Sequence, residues 1–283
     1  MQLKNYHFYH ISNYNFTLSL NKFKPTNYIY LQNRNHSMSD SLVIIPTYNE
    51  KENIERIIRK VFSLSHSFDV LIVDDCSPDG TADIIKGLQQ EFKGLFIEER
   101  QGKLGLGTAY IHGFKWVLNR NYDFVFEMDA DFSHDPDDLL RLYSACKNDG
   151  NDLAIGSRYT NGVNIVNWPM SRLLMSFFAS KYVKFITGLP VNDSTAGFIC
   201  YSRQVLETIN LDKIKFVGYA FQIEMKFKTW KSNFDIVEVP VIFTDRKEGN
   251  SKMDTSIFFE AFIGVIQMKI SSLFTKFKQK PKV

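Results

Sequence analysis

The stretch Ser41–Thr81 reads SLVIIPTYNEKENIERIIRKVFSLSHSFDVLIVDDCSPDGT. Ser41–Pro46 is a short apolar run, as expected of a parallel strand buried on both faces. Ile54, Ile57, Ile58 and Val61 recur at helical spacing, which predicts a helix over Glu50–Phe62. Asp69–Val73 is a second buried strand, and Ser77-Pro78-Asp79-Gly80 is a turn that introduces another helix. Strand, helix and strand in this order form a right-handed βαβ unit.

The pattern continues outward from that unit. Helices are predicted over Thr81–Phe92, Leu104–Asn119 and Asp138–Lys147, and strands over Leu95–Glu98, Tyr122–Met128 and Leu153–Gly156. Beyond Arg158 the alternation loosens. Helices are expected at Met170–Thr187 and Ala220–Lys231, and strands at Thr195–Tyr201 and Asp235–Phe243. The fold class is α/β: a doubly wound, mostly parallel sheet with helices on both faces.

In such a sheet, ligands bind beyond the carboxyl ends of the strands. Those ends carry Pro46-Thr47-Tyr48-Asn49-Glu50, Asp74-Asp75-Cys76-Ser77 and Asp129-Ala130-Asp131-Phe132-Ser133-His134-Asp135-Pro136. A carboxylate cluster is costly unless a positive charge sits among it. Asp129 and Asp131 are spaced i, i+2 and in extended geometry face one side, within reach of one divalent cation. Oxygen donors suit Mg²⁺ or Mn²⁺. The plain alternative is loop carboxylates, with Asp135-Pro136 capping the next helix. The chain lacks GxGxxG after its first strand, and Gly102-Lys103 is followed by Leu104, so neither a Rossmann fingerprint nor a P-loop is present. Gly105-Leu106-Gly107 either lets a ligand approach the backbone or packs a helix tightly on the sheet.

Composition narrows the classes. Of 283 residues, 44% are apolar and 23% charged, which suits one globular domain with an appendage. A net charge of +3 is too small for a general nucleic-acid binder. Three scattered cysteines make no disulfide framework, so a reducing compartment is expected. No apolar run reaches the ~18 residues of a transmembrane helix. Residues 1–37 hold four basic side chains, no acidic one and no Gly, Ala or Val, without sustained periodicity. They read as an upstream extension or flexible tail, with the natural start expected at Met38. Residues 253–283 read as a basic amphipathic helix, suited to a membrane surface or to packing on its own domain.

PTYNE, VDDCSPDGT, GKLGLGTAY, MDADFSHDP, GSRY, TAGF, FQIE and FTDRKEGNSK follow one another at sensible intervals. Together they resemble family 2 glycosyltransferases of the GT-A fold, and within them the dolichyl- or polyprenyl-phosphate mannose synthases without a transmembrane domain. The likeness covers about Ser41–Lys252, so 38–252 is the expected GT-A domain. It implies donor-binding roles for Pro46, Tyr48, Glu50, Val73, Asp75, Lys103, Gly105, Asp129, Ala130, Asp131, Arg158, Arg246 and Lys252. Asp74 orders the loop. Asp129 and Asp131 carry Mg²⁺ or Mn²⁺, and Ser133, standing where some relatives have a metal-coordinating Gln, acts through water. Asp131, Arg158 and Arg246 are the implied catalytic residues, and Arg172 the acceptor-phosphate residue. Arg suits bidentate phosphate binding. Glu224 is expected to pair with one of these arginines, and His134 to be a plain loop residue.

The implied reaction is inverting transfer of mannose from GDP-mannose to a polyprenyl monophosphate. The implied place is the cytoplasmic face of a membrane, met through an amphipathic surface or a membrane-anchor protein. The lipid tail is expected along Leu173, Leu174, Phe177, Phe178, Val183 and Phe185 and along the apolar face of the C-terminal helix, the plain alternative being that both helices are core. The alternatives are another nucleotide-sugar donor such as UDP-glucose, or a non-catalytic scaffold that binds nucleotide or membrane. A nucleotidyltransferase is disfavoured by the lack of a Gly-rich loop with Arg after the first strand.

Overall fold

The first four strands stand in the order that βαβ winding dictates, and an antiparallel strand then breaks it. The computed structural model describes residues 39–245 and 255–281; the N-terminal 37 residues assigned above to an extension lie outside them. Strands β1 (Ser41–Thr47), β2 (Asp69–Asp74), β3 (Leu95–Glu99) and β4 (Phe124–Glu127) alternate with α1 (Ile54–Phe62), α2 (Thr81–Leu88), α3 (Leu106–Leu118) and α4 (Asp138–Lys147). Then come β5 (Leu153–Ser157), β6 (Ile165–Val166), α5 (Met170–Thr187), β7 (Ile199–Ser202), α6 (Arg203–Thr208), α7 (Tyr219–Lys231), β8 (Ile236–Pro240), β9 (Phe243–Thr244) and α8 (Thr255–Phe274).

The main sheet has the order β3-β2-β1-β4-β7-β5-β8. Only β7 runs antiparallel, pairing Val125 with Tyr201 on one side and Ala154 with Cys200 on the other. β5 therefore lies one strand away from β4. β6 and β9 form a separate parallel pair.

Alternation on the strands divides the core. Val43, Ile45, Val70 and Ile72 pack with Ile54, Ile57, Ile58 and Val61 of α1 and with Leu139 and Leu142 of α4. Leu42, Ile44, Leu71 and Val73 face Tyr110 and Phe114 of α3, Phe221 of α7, and Val265 and Met268 of α8. Each such side chain removed from water contributes roughly 1.5–3 kcal/mol. Helices thus cover both faces, as the periodicity predicts.

Several boundaries differ from expectation. α1 begins four residues late because the Glu50 carbonyl accepts the N–H groups of Asn53 and Ile54, making a lead-in turn. The strand expected over Asp235–Phe243 breaks after Pro240, which has no N–H to extend a ladder. Phe243–Thr244 then joins β6. Of the strand expected from Thr195, only Ile199–Ser202 is in the sheet; Asp193–Phe198 is held by side chains instead. The C-terminal helix stops at Phe274. Its continuation turns back onto the domain. Phe277 lies edge-on to Phe227, and Lys280 donates to Asp152 (2.6 Å) and Asp235 (2.9 Å).

Candidate active site

The first wall is the set of loops after β1, β2 and β3. Pro46 and Val73 are register partners at the strand ends. Val73 is wholly buried at the end of β2. Asp74 accepts Thr47 Oγ1 (2.7 Å), Ser77 N (2.8 Å) and Ser77 Oγ (2.6 Å), the loop-ordering pattern expected of it. Glu50 N–H donates to Thr81 Oγ1 (3.1 Å), and Glu50 Oε2 accepts from Asn53 Nδ2 (3.2 Å).

Asp75 has a partner that the sequence reading overlooked. Arg100, at the end of β3, donates through Nε to Asp75 Oδ1 (2.6 Å) and through Nη1 to Thr108 Oγ1 (2.8 Å). Its Nη2 reaches Asp75 Oδ1 and the Gly105 carbonyl, and Leu104 N–H donates to Asp75 Oδ2. Arg100 thereby ties the loop carrying Asp75 to the loop carrying Lys103 and Gly105. Lys103 lies over the Tyr48 ring at 5.0 Å, joining the β1 and β3 loops. Gly105 has φ +96, a conformation that a side chain strains. A Cβ on Gly107 would sit 2.8 Å from the Phe221 ring, so that glycine serves close helix packing.

The second wall is the loop leaving β4. Asp129 and Asp131 are part-exposed and Ala130 is buried. Ser133 N–H donates to Asp131 Oδ1 (3.1 Å), and Phe132 takes φ 57 to turn the chain. Ser133 Oγ is buried with no hydrogen-bond partner among the described residues. Two carboxylates and an uncommitted hydroxyl are hard oxygen donors, and this set fits Mg²⁺ or Mn²⁺. Among the described residues no trio of His, Cys, Asp or Glu gathers to form a metal site unaided. Further ligands would come from diphosphate oxygens and water.

His134 lies in this loop with its side chain turned inward. It is buried, stacks on Phe198 at 4.8 Å and meets Phe243 edge-on at 5.0 Å. Burial pushes its pKa down to about 4, so it is neutral at pH 7. An open cleft of about 700 Å³ beside this loop is lined by Asp131, Ser133, Asn53, Arg56, Thr244 and Asp245, among others. Arg56, which the sequence reading also missed, lies 5.1 Å over the Phe132 ring.

The third wall gathers the arginines. Arg158, following β5, is buried against Asp193. Its Nε and Nη2 donate to the two carboxylate oxygens at 2.7 and 2.6 Å, its backbone N–H adds a bond at 2.9 Å, and Nη2 also reaches Thr195 Oγ1 at 2.8 Å. Burial alone would raise the Asp193 pKa, but the Arg158 charge and its hydrogen bonds hold it below the ordinary value. Arg172, on α5, donates to Asp245 Oδ1 (2.9 Å). Both guanidiniums face the Trp168 ring, at 5.5 Å for Arg158 and 4.1 Å for Arg172. Arg246 and Lys252 lie outside the described residues.

Beneath these walls lies a buried polar layer. Glu127 accepts from Gln222 Nε2 at 2.6 Å, and burial pushes its pKa up to about 8. Burial pushes Lys226 down to about 8. Among the described residues Glu224 meets no arginine: it accepts the N–H groups of Lys215 (2.9 Å) and Phe216 (3.2 Å) and pairs with Lys228. A turn of α7 explains this, since Lys228 is its i+4 neighbour.

On the outside, Leu174, Phe178 and Phe185 of α5 are exposed while Val183 is buried. Ile263, Ile266, Ile270, Leu273 and Phe274 of α8 are exposed too. The two helices meet where Tyr182 stacks on Phe262 (4.5 Å) and donates to its carbonyl. No helix of the described residues is long and apolar enough to cross a membrane.

A carboxylate pair at the end of β4, flanked by two strand-end loops on a sheet of this order, is the build of a GT-A nucleotide-sugar transferase. The chain belongs to glycosyl transferase family 2, whose profile matches residues 42–209. It is 44% identical over 231 residues to a polyprenol monophosphomannose synthase of Mycolicibacterium smegmatis, covering 81% of this chain and 87% of the relative. It is 43% identical over 231 residues to an undecaprenyl-phosphate mannosyltransferase of Micrococcus luteus, covering 82% and 94%. Among solved structures it resembles glucosyl-3-phosphoglycerate synthase of Mycobacterium tuberculosis, with TM-score 0.61, 16% identity, and 83% and 81% of the two chains covered. A complex of that synthase with Mn²⁺, UDP-glucose and phosphoglyceric acid matches with TM-score 0.60 at 17% identity, covering 85% and 82%. At this identity the structural likeness speaks for the fold alone.

Proposed function

We propose that the chain transfers mannose from GDP-mannose to a polyprenyl monophosphate, with inversion at the anomeric carbon. The observation that carries this reading is identity above 40% to two mannosyltransferases named for polyprenyl acceptors, each aligned over most of its length. The nucleotide would lie along Pro46, Tyr48, Glu50, the strand end at Val73, Asp75, Lys103 and Gly105. The diphosphate would reach Asp129, Ala130 and Asp131. A bound Mg²⁺ or Mn²⁺ there supplies positive charge against the leaving diphosphate. Asp129 and Asp131 would hold it, with Ser133 through water.

The remaining steps fall to substrates and side chains. An acceptor phosphate oxygen attacks the anomeric carbon while the bond to the diphosphate breaks on the opposite face, releasing GDP. The phosphate is already anionic at neutral pH, so no general base is required. His134, buried between the Phe198 and Phe243 rings, agrees with that chemistry. Arg172, with Arg246 and Lys252, offsets the repulsion between two phosphorylated substrates. Arg158, its Nε and Nη2 held by Asp193 and Thr195, would turn the rest of its guanidinium to the donor diphosphate.

The acceptor is a lipid, and the exposed apolar side chains of α5 and α8 support docking at a membrane surface. Of the lysines beyond Met268, Lys280 is paired with Asp152 and Asp235, whereas Lys269 and Lys278 donate only to the backbone carbonyls of Thr187 and Glu207 and keep their charge for an anionic surface. The test is transfer from a panel of radiolabelled nucleotide sugars to polyprenyl phosphate, with and without EDTA. Mannose moving only from GDP-mannose, and only with metal, is the expected result. Preference for another nucleotide sugar would overturn the donor assignment.

A further inference from the structure

Helix α7 buries polar side chains on its sheet-facing side, where apolar ones would be cheaper. Gln222 and Lys226, one turn apart, are 2% and 0% exposed. Taking an ammonium out of water costs several kcal/mol unless its surroundings compensate. The Lys226 ammonium donates to the Ala196 carbonyl at 2.6 Å and to the Gln222 carbonyl at 3.3 Å. No carboxylate lies within bonding distance of it among the described residues. Its strongest bond is therefore to the backbone of an irregular segment.

That segment, Asp193–Phe198, touches two walls of the site. At one end Asp193 and Thr195 hold the Arg158 guanidinium. At the other, the Phe198 ring backs His134, and the Phe198 carbonyl accepts Gly156 N–H at 2.8 Å. A Cβ on Gly156 would meet that ring at 2.8 Å, so the segment is pressed close to β5. One turn earlier on α7, Gln222 holds Glu127, two residues before Asp129.

We infer that Lys226 is a positioning residue: its bond to the Ala196 carbonyl fixes Asp193–Phe198 in the conformation that aims Arg158 and backs the Asp131–His134 loop. Gln222 makes the matching tie to β4, so one face of α7 sets the spacing between the metal-binding loop and the arginine wall. The kinetic part rests on the transferase reading above; the structural part does not.

The experiment uses the full chain with Lys226→Met and Lys226→Gln. Hydrogen–deuterium exchange on Lys226→Met should quicken about tenfold or more in peptides spanning 189–202 and 128–136, and stay unchanged in α1 and α2. In the transfer assay kcat should fall between about tenfold and a hundredfold, as for groups displaced by about an ångström, with donor KM within about threefold. Lys226→Gln keeps a donor of shorter reach and should fall between Lys226→Met and the unaltered protein on both readouts. Exchange that is unaltered, or raised evenly over the whole sheet, overturns the inference. So does unchanged kcat per folded molecule. If Lys226→Met does not fold, the exchange pattern of Lys226→Gln decides alone: local quickening supports the inference and any other pattern overturns it. Failure of the unaltered protein to transfer mannose would strike the proposed function instead, while the exchange pattern still decides the role of Lys226.

Discussion

Asp193→Ala should destabilise the fold by about 3–5 kcal/mol, the range seen when one partner of a buried ion pair is removed. Asp193 is fully buried, and three donors of Arg158 converge on its two oxygens at 2.6, 2.7 and 2.9 Å. Removing the carboxylate leaves the guanidinium, on a side chain only 9% exposed, without that counter-charge. The Trp168 and Tyr159 rings at 5.5 and 5.4 Å recover little, since cation–π contacts contribute roughly 0.5–2 kcal/mol. Loss on this scale is a large share of a typical stability of about 5–15 kcal/mol. Arg158→Met combined with Asp193→Ala removes both charges. The double variant should be clearly more stable than the two single losses predict, with a coupling of roughly 2–3 kcal/mol.

Urea unfolding at pH 7 measures all three variants, and a pH series checks the sign. Arg158 holds the Asp193 pKa below its unfolded value of 3.8. Its contribution is therefore fully present above that value and is lost as pH falls through the folded one. The gap between unaltered protein and Asp193→Ala should be flat from pH 5 upward and shrink only below about pH 4. Additive single losses, or a gap that already closes near pH 6, would refute the reasoning.

Four further outcomes are expected. Asp131→Ala, and more mildly Asp129→Ala, should abolish transfer with melting shifted by only a few degrees; full activity of Asp131→Ala in saturating Mg²⁺ would falsify the metal role. Arg100→Met should raise donor KM about tenfold with kcat nearly unchanged, because it loosens Asp75 and the Lys103–Gly105 loop without touching the arginine wall; steady-state kinetics at varied GDP-mannose measures this. A chain starting at Met38 should unfold at the same urea concentration and transfer at the same rate as the full chain; loss of several kcal/mol would give the first 37 residues a structural role. Phe185→Glu with Phe274→Glu, at positions 86% and 85% exposed, should weaken liposome flotation about tenfold or more without moving the melting point, and equal flotation sinks the membrane face.

Most of the sheet was legible because each strand of its first half has a local signal. An apolar run ends in a polar loop, and the intervening helix repeats apolar residues at three and four. The carboxylate pair after β4 was legible for the same reason. What stayed hidden depends on residues far apart in the chain. Nothing near Arg158 in sequence announces its partner Asp193, 35 positions later. Arg100 reaches Asp75 only once β3 lies beside β2. β7 is four residues long, too short for its alternation to declare a direction. Lys280 gave no sign of its partners because Asp152 and Asp235, which capture it, come from other elements. Glu224 is the opposite case: Lys228, one turn on, was there to be read.

The single antiparallel strand also sets the order in which the molecule can be built. The β3-β2-β1-β4 half is complete once residue 127 has been made, yet β4 keeps an open edge until β7 arrives about 70 residues later. At roughly 5–20 residues per second, a growing chain holds that edge unpaired for about 4–15 seconds. Val125 and Phe126 stand on it, apolar and of high strand propensity, the kind of edge that templates association between chains. Slower decoding between Asp138 and Phe198 would lengthen this interval, so soluble yield during synthesis should depend on codon choice in that stretch more than in any other of equal length.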